Sequence, residues 1–565
     1  MKSFENFKLR VLLSLFFVLI VVFSSKAQLD DKKEIIVVTG KGDISYEKGK
    51  KIPLDPVFKD TVKITETFSY TVKDKKVPGA YEPSVIKPPK IAVLEPLDRL
   101  YNGHVFLGAN DFVSLPYLDF SYGLTRNKKY NAGVYGRHFS SGMNVQDLKD
   151  SRFSENNLGV YGKKIGEKLT LSAKTNVDYN TFRWYGYNPE LFNFSSDSNK
   201  LNYTNWQTNF DLKKNKSNLD ELDYAVNAQY NLFTATNEIN EHLLTVKANV
   251  GKFAKWQFLN GLLDGFWRVN FSSSYLNSKN SIGAMQSNLF QLVPTYNVKN
   301  KDFDITAGFI INYLTEDERG FYNYGYFDGT FNLVKDYLII YTKFDGGFTR
   351  HHNLTYYQAN PFINSVLPQY NVNNLYNIKG GVKGAINKHA SFNVGFQQSE
   401  FKDAILFVND FSSVGARKFT IFQTDMTHSM LFGEVNYDWK KIRSRALFQY
   451  NSYSTFQHVA FHKPATYAQL GANYKFQNKL DIGLDLYYFG KQLAAAEAIT
   501  DDPFQNVATK ELKPILDFNL NVNYAYSKTF GAFILVNNIL SQNHQRWNQY
   551  PNYGINFLAG VKFSF

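Results

Sequence analysis

Cysteine is absent from this chain of 565 residues. Its absence excludes disulfides, cysteine-ligated metals, cysteine nucleophiles and a lipid attached to an N-terminal cysteine. Long apolar runs are missing too, because no stretch after Gln28 approaches the about 18 consecutive apolar residues that mark a spanning helix. The mean hydropathy of −0.34 agrees with this. Beyond its N-terminus, the chain does not read as a helical membrane protein.

The sequence also lacks the usual signatures of catalysis. The HExxH, GxSxG, phosphate-loop, EF-hand and dinucleotide patterns do not occur. The ten histidines are dispersed, and His458 and His462, although four residues apart, fall in a predicted loop with Pro464 rather than on a helix. No Ser/His/Asp set is aligned by strand position. We therefore expect no enzyme, no metal site and no cofactor.

The N-terminus resembles a secretory leader. Lys2, Lys8 and Arg10 form a basic head, an apolar run covers 11–24, and Ser25-Lys26-Ala27 supplies small residues at a cleavage site. This pattern predicts a signal peptide over residues 1–27. A membrane anchor is the alternative, but the run is shorter than the roughly 20 residues that a spanning helix needs.

The formal charge of +13 is scattered along the chain and mixed with acidic residues. No basic stripe is present, so nucleic acid is not expected as a partner. Basic residues on an exported membrane protein are better matched to the phosphates of lipopolysaccharide.

Aromatic residues make up 17% of the chain, with 50 Phe and 38 Tyr. From Tyr101 to Phe565, apolar and polar residues alternate with a period of two, as on strands with two different faces. Between Leu516 and Ser527, every second residue is apolar or aromatic, and those between are mainly Asp and Asn. An aromatic face opposite a wet polar face is typical of outer-membrane barrels.

The connections alternate between short and long, as in barrels with short periplasmic turns and longer extracellular loops. Tight links occur, for example, at 166–168 and 477–479, and long ones are predicted at 350–375, 405–427, 490–512 and 541–552. We count about 22 strands, with fewer possible. The predicted fold is all-β, a closed antiparallel transmembrane β-barrel over 101–565, because lipid offers no partner to an open sheet edge.

Charged residues on the polar face are candidates for a solute path or a docking surface inside the barrel. For any single one of them, a wet wall whose charges pair and solvate is the competing interpretation. Alternation places the following charges toward the lumen: Asp211, Asp223, Lys247, Glu434, Arg443, Arg445, Asp481, Asp485 and Asp517.

Aromatic residues of the predicted loops raise a similar choice. They are expected to stack on a glycan or contact a partner, or else to form an interface girdle or pack inward. The residues concerned are Tyr356, Tyr357, Phe362, Tyr370, Trp547 and Tyr550.

The last strand ends on an aromatic residue, and Phe557, Ala559, Val561, Phe563 and Phe565 share one face. This resembles the C-terminal signal that the barrel assembly machinery recognises. The preceding hairpin, FGAFILVNNILSQNHQRWNQYPNYGINFLAGVKFSF, resembles the closing hairpin of TonB-dependent receptors. Stretches such as RNKKYNAGVYGRHFSS and VKDYLIIYTKFDGGFTRHHN resemble shorter Bacteroidota members of that group that lack a recognisable plug.

Residues 28–100 form a proline-rich segment that is predicted to be extended and periplasmic. A complete receptor plug is longer and of mixed α/β structure, so the resemblance does not extend to one. Within this segment, EIIVVTG is similar to a TonB box, although a simple strand is the competing interpretation. Its residues are Glu34, Ile35, Ile36, Val37, Val38, Thr39 and Gly40.

Two functions remain open from the sequence. The first is solute uptake across the outer membrane by a receptor-like barrel, with TonB as a partner. The second is a non-transporting subunit of a larger outer-membrane complex for assembly or secretion. Both place the chain in the outer membrane among lipid and lipopolysaccharide, and the sequence names no substrate.

Overall fold

The computed structural model describes residues 100–565. Within that range it leaves out 111–115, 125–126, 146–147, 149, 216–220, 237, 256–263, 282, 316–318, 335–336, 365–366, 457–458, 478 and 500–506. The predicted signal peptide, the TonB-box-like residues and nearly all of the proline-rich segment lie outside the described residues.

The chain forms strand after strand. The first thirteen strands are β1 (Gly103–Ala109), β2 (Tyr117–Gly123), β3 (Tyr130–Ser141), β4 (Phe153–Ile165), β5 (Leu169–Arg183), β6 (Lys200–Lys214), β7 (Asp223–Ala235), β8 (Ile239–Lys255), β9 (Asp264–Lys279), β10 (Ala284–Lys299), β11 (Phe303–Leu314), β12 (Gly320–Val334) and β13 (Leu338–His351).

A short helix, α1 (Asn353–Ala359), and a 3₁₀ turn, Val414–Ala416, interrupt the second half. Its strands are β14 (Tyr370–Asn387), β15 (Ala390–Asn409), β16 (Phe419–Trp439), β17 (Ile442–Thr455), β18 (Thr466–Phe476), β19 (Leu480–Phe489), β20 (Gln492–Ala495), β21 (Thr509–Leu512), β22 (Ile515–Ala525), β23 (Phe530–Asn537), β24 (Gln545–Trp547), β25 (Tyr550–Pro551) and β26 (Asn556–Ser564).

Twenty-two of these strands form one closed antiparallel barrel, as the sequence predicted. The ring closes where β1 pairs with β26, and Gly103 and Phe565 exchange two backbone hydrogen bonds of 3.0 Å. The remaining four strands form two separate hairpins, β20–β21 and β24–β25. Closure leaves no unpaired sheet edge in the ring.

The alternation of the sequence gives the wall its two faces. Residues that pair on neighbouring strands have similar polarity: Leu484 pairs with Leu520, and Asp485 pairs with Asn519. Large apolar side chains are exposed around the outside, among them Trp206 at 48% and Phe309 at 65%. Hydrocarbon accepts such a surface, whereas water penalises it at about 25 cal/mol per Å².

The two ends of the barrel differ. We call the end that carries Gly103 and Phe565 the turn rim, where β4–β5, β14–β15 and β16–β17 are joined by two or three residues. The opposite end is the loop rim, where the long connections lie. The wall is uneven in height, since β1 has seven residues and β16 has 21.

One of the four predicted long loops is wrong in extent, and the other three contain short elements of their own. The range 405–427 is mostly strand, because β15 continues to Asn409 and β16 starts at Phe419. The ranges 490–512 and 541–552 each contain a hairpin, and 350–375 contains α1. The helix ends where Asn360 donates to the carbonyl of Tyr356 and Pro361 follows, since proline cannot continue it.

Among the described residues, no helix combines the length and apolar character needed to cross a membrane.

Candidate functional site: the loop layer

The loops at the loop rim fold inward and pack against one another. We call this assembly the loop layer, and it consists of parts of 184–199, 352–369, 410–418, 456–465, 490–514 and 538–555. Its centre is a cluster of buried aromatic and aliphatic side chains, including Tyr185, Tyr356, Tyr357, Phe419 and Tyr550. Four of the loop aromatics weighed in the sequence, Tyr356, Tyr357, Phe362 and Tyr550, therefore pack inward.

Loops from opposite sides of the ring meet in this layer. The β5–β6 and β15–β16 loops are ten strands apart in a ring of 22, which is nearly half a circumference. The guanidinium carbon of Arg417 nevertheless lies 3.4 Å from the centre of the Phe194 ring. Gly415 has a φ of 75°, which favours glycine, and a Cβ at this position would lie 3.3 Å from side-chain carbons of both Phe192 and Tyr187. The loop layer therefore reaches across the barrel.

Tyr550 of β25 lies at the centre of the layer. Its ring stacks on Phe362 at 3.7 Å and meets Tyr185 edge-on at 4.9 Å. Its hydroxyl donates to the carbonyl of Arg417. Each aromatic pair contributes about 0.5–1.5 kcal/mol beyond burial, so one side chain joins three different loops.

A buried carboxylate anchors α1 to the wall. Glu241 projects from β8 and is 1% exposed. Its Oε1 lies 2.5 Å from Nδ1 of His352, and its Oε2 accepts from the backbone and side chain of Asn353, both at 3.0 Å. Gln369 donates to the same oxygen at 3.2 Å. Glu241 thus holds both ends of the 352–369 loop.

A neutral histidine joins three more elements. His462 is 4% exposed, and its Nδ1 donates to the carbonyl of Phe407 at 3.0 Å. Its Nε2 accepts from the backbone N–H of Asn548 at 3.3 Å. Burial, more than any nearby charge, lowers the pKa of His462 to about 4. The imidazole is therefore uncharged at neutral pH.

A cavity of about 500 Å³ lies between the loop layer and the inner wall; we call it the chamber. Tyr487, Phe489, Ile515 and Asp517 come from β19 and β22. The remaining lining residues come from the loop layer. They include four aromatic side chains and the polar side chains of His544, Arg546 and Asn552. A cavity of this size, with aromatic walls and few polar groups, is typical of a small-molecule site.

The charges predicted to face the lumen fall into separate places. Glu434 and Arg445 form an ion pair of 2.9 Å, and Arg443 pairs with Asp438 at 3.2 Å beside the turn Lys440-Lys441. Asp481 and Asp485 lie on β19, and Asp517 lines the chamber. The structure therefore brings Asp517 to the site and leaves the others lower on the wall.

Three more of these charges lie on β6, β7 and β8. Asp211 accepts from Asn227 at 2.6 Å, and Asp223 lies 3.8 Å from Arg268. Lys247 lies opposite Asn227 in the β7–β8 register. A transport role for any of these side chains stays a prediction.

The residues of the proposed C-terminal signal lie along β26, and several are well exposed. Phe557 is 42% exposed, Phe563 is 47% and Phe565 is 44%. The Phe565 ring stacks on Tyr122 at 6.2 Å. The aromatic face of the last strand thus belongs to the outer surface at the seam of the barrel.

Sequence reasoning missed Glu241 and Arg546. Glu241 had a usable signal, because alternation along β8 places it on the same face as Lys247. Arg546 lies in β24, a three-residue strand too short for a periodicity to indicate a direction. In the described part of the chain, no three His, Asp or Glu side chains are placed to hold a metal ion.

Comparison with solved structures identifies the fold. The FrpB iron transporter from Neisseria meningitidis (F5-1 variant) superposes with a TM-score of 0.63 at 10% identity, covering 83% of each chain. The siderophore receptor PirA from Acinetobacter baumannii gives 0.61 at 11% identity, covering 83% of this chain and 81% of that one. The ferric enterobactin receptor PfeA from Pseudomonas aeruginosa gives 0.58 at 11%.

No protein-family model and no curated protein matches the sequence. The similarity to outer-membrane transport receptors is therefore one of architecture: a large closed β-barrel of the same kind, at an identity too low to carry over a ligand.

Proposed function

We propose that this chain is an outer-membrane β-barrel of the TonB-dependent receptor type that takes up a solute. One observation supports it most: a 22-strand barrel has its loop rim crossed by a layer that lines a ligand-sized chamber. A barrel of this width needs an obstruction to prevent leakage. A layer with a binding cavity supplies both the obstruction and a place for a solute.

The orientation follows from barrel physics. Short turns face the periplasm and long loops face outward, so we place the loop layer at the cell surface and the chain ends in the periplasm. Residues 1–27 then serve as a cleaved signal peptide. Residues 28–100 are a periplasmic segment too short for a full plug, as in the Bacteroidota proteins that the sequence resembles, and Glu34–Gly40 offers a strand to TonB. Lipopolysaccharide surrounds the barrel, and the assembly machinery reads Phe557–Phe565.

Planar bilayers test the transport role. We expect the intact protein to show little steady current. Replacing 353–363 with a Gly-Ser linker removes α1 and Phe362, and we expect it to open a large conductance. A matched linker in place of 490–499 keeps the Tyr550 contacts and is the control. A folded barrel that stays closed without α1, both with and without residues 28–99, would contradict a solute path.

The alternative is a barrel subunit of a larger complex. The observation in its favour is the uneven wall, since β15 and β16 rise far above β1 and β2 and form a tall surface. Gentle detergent extraction followed by affinity purification distinguishes the two. Recovery of stoichiometric partners together with a closed barrel supports the subunit, and recovery of the lone barrel supports transport.

A further inference from the structure

A second cavity, of about 290 Å³, lies between α1 and the inner wall of the barrel; we call it the wall cavity. Its floor is built from β3 to β6. Leu354 and Gln358 form its roof, and they lie four residues apart, on one face of the helix. The wall cavity shares no lining residue with the chamber, so it is a separate place for a ligand.

The strand register arranges the polar side chains of the floor in two rows. The first row crosses four neighbouring strands and consists of Arg137, Asn157, Asp178 and Asn205. The second row lies on its loop-rim side and consists of Glu155, Asn180 and Tyr203. Both rows face the lumen, because alternating residues such as Leu158 and Trp206 are exposed on the outside. Neighbouring strands lie about 4.8 Å apart, so one small ligand reaches several of these groups.

The first row is ordered by its own hydrogen bonds. Asp178 accepts from the amides of Asn157 at 2.5 Å, Asn205 at 3.1 Å and Asn176 at 3.4 Å. Asn205 is 3% exposed, and its amide oxygen has no hydrogen-bond partner among the described residues. A buried acceptor without a partner costs free energy. The row therefore holds its polar groups in fixed directions and leaves one acceptor that a donor from a ligand can satisfy.

The other polar groups of the cavity are accessible. Arg137, Glu155 and Gln358 are exposed to the lumen, and none of the three makes a side-chain hydrogen bond to any described residue. The guanidinium carbon of Arg137 lies 5.7 Å from the centres of the Tyr117 and Phe139 rings, which restrict its position. The three side chains supply a group that only donates, a group that only accepts and an amide that does both. A ligand that takes the place of water here needs donors and acceptors in equal measure.

We propose that the wall cavity binds a neutral sugar, with its hydroxyls between the two rows and Gln358, and its ring against Tyr203 and Leu354. A hydroxyl both donates and accepts, so it suits a floor on which donors and acceptors alternate. An anion would face the two carboxylates, and a cation would face Arg137. An extended apolar ligand is not matched, because Tyr203 and Leu354 are the only lining residues with large apolar groups. The inference rests on the proposed function in that it names the class of solute.

Nine monosaccharides of matched ring shape test the charge preference. The neutral probes are glucose, galactose and mannose, and each is compared with its uronate and its 2-amino counterpart. Binding to the purified full-length protein is measured by ligand-observed NMR in lauryldimethylamine oxide, a detergent without a sugar headgroup. We expect at least one neutral sugar to bind and to keep its affinity as salt is raised, because it pairs no net charge. Its two charged counterparts should bind roughly tenfold more weakly.

Variants locate the site. Arg137→Ala and Glu155→Ala should each weaken binding of that neutral sugar by roughly tenfold, because each removes a hydrogen bond with a charged partner. Arg137→Lys should retain part of the affinity. The double variant Arg443→Ala/Asp481→Ala removes one charge of each sign elsewhere on the wall and should bind normally. Resistance to unfolding in cold detergent gels shows that each variant barrel is assembled.

Three results would each overturn the proposal: no binding of any neutral sugar, tighter binding of the charged counterparts, or unchanged binding in both alanine variants. Binding is measured without transport, so the two proposals fail separately. A barrel that binds the sugar but opens no solute path contradicts the proposed function and leaves the sugar site standing. A barrel that conducts but binds none of the sugars leaves the proposed function standing and removes this site.

Discussion

At the residue scale, the loop layer depends on the protonation state of its buried side chains. His462 is the sharpest case because both of its ring nitrogens are used, one as a donor and one as an acceptor. A proton on Nε2 would point at the N–H of Asn548. The histidine therefore stabilises the layer only while it is neutral.

A pH dependence follows with a definite sign. The pKa of His462 in the packed loop layer is about 4, below the ordinary value of 6.5. The imidazole therefore binds a proton more tightly when the loop layer opens than when it is packed. The stabilisation is complete above about pH 6.5 and declines as pH falls toward 4, by at most about 3 kcal/mol. We expect hydrogen exchange of 459–465 and 544–552 to accelerate over this range. His462→Gln should flatten the change, and His389→Gln, on the turn rim, should not.

At the element scale, the carboxylate of Glu241 determines the position of α1 against the wall. Glu241→Ala leaves His352, Asn353 and Gln369 without their shared acceptor in a buried place. Breaking a buried charged network by removing one partner costs about 3–5 kcal/mol. We expect peptides covering 352–364 to exchange faster by two orders of magnitude or more, while the barrel strands keep their protection. Glu190→Ala, on an exposed loop, is the matched control. Unchanged exchange in Glu241→Ala would show that the aromatic cluster alone holds the helix.

The same contrast between strands and loops explains what the sequence could predict. The alternation of apolar and polar residues in β19 and β22 is a local property of the sequence. The strands, their two faces and the closed barrel could therefore be predicted from it. The inward packing of Tyr550 depends on Phe362 and Tyr185, which are 188 and 365 residues away in the chain. The boundaries of β15 and β16 were missed because their ends rise above the usual apolar band. There, Asn409 and Phe419 follow no simple period.

At the scale of the whole molecule, closure depends on the seam between β1 and β26. Deleting Phe565 removes the two hydrogen bonds to Gly103 and the stack on Tyr122. We expect a several-fold lower yield of assembled barrel, measured as the fraction that resists unfolding in cold detergent gels. Phe565→Trp keeps a terminal aromatic and should assemble. Normal assembly of the deletion would show that the rest of β26 suffices for recognition.

The uneven wall also makes the barrel mechanically anisotropic. β26 is held to β1 by six paired residues, whereas β15 and β16 share eighteen. Strands pulled from the C-terminus unzip one rung at a time, so the force needed grows with the length of the ladder that resists. A single-molecule pull on Phe565 should therefore remove β26 and β23 at low force and meet its highest peak at β15–β16. The β1–β26 seam that completes the barrel is thus also the interface that separates first under a pulling force.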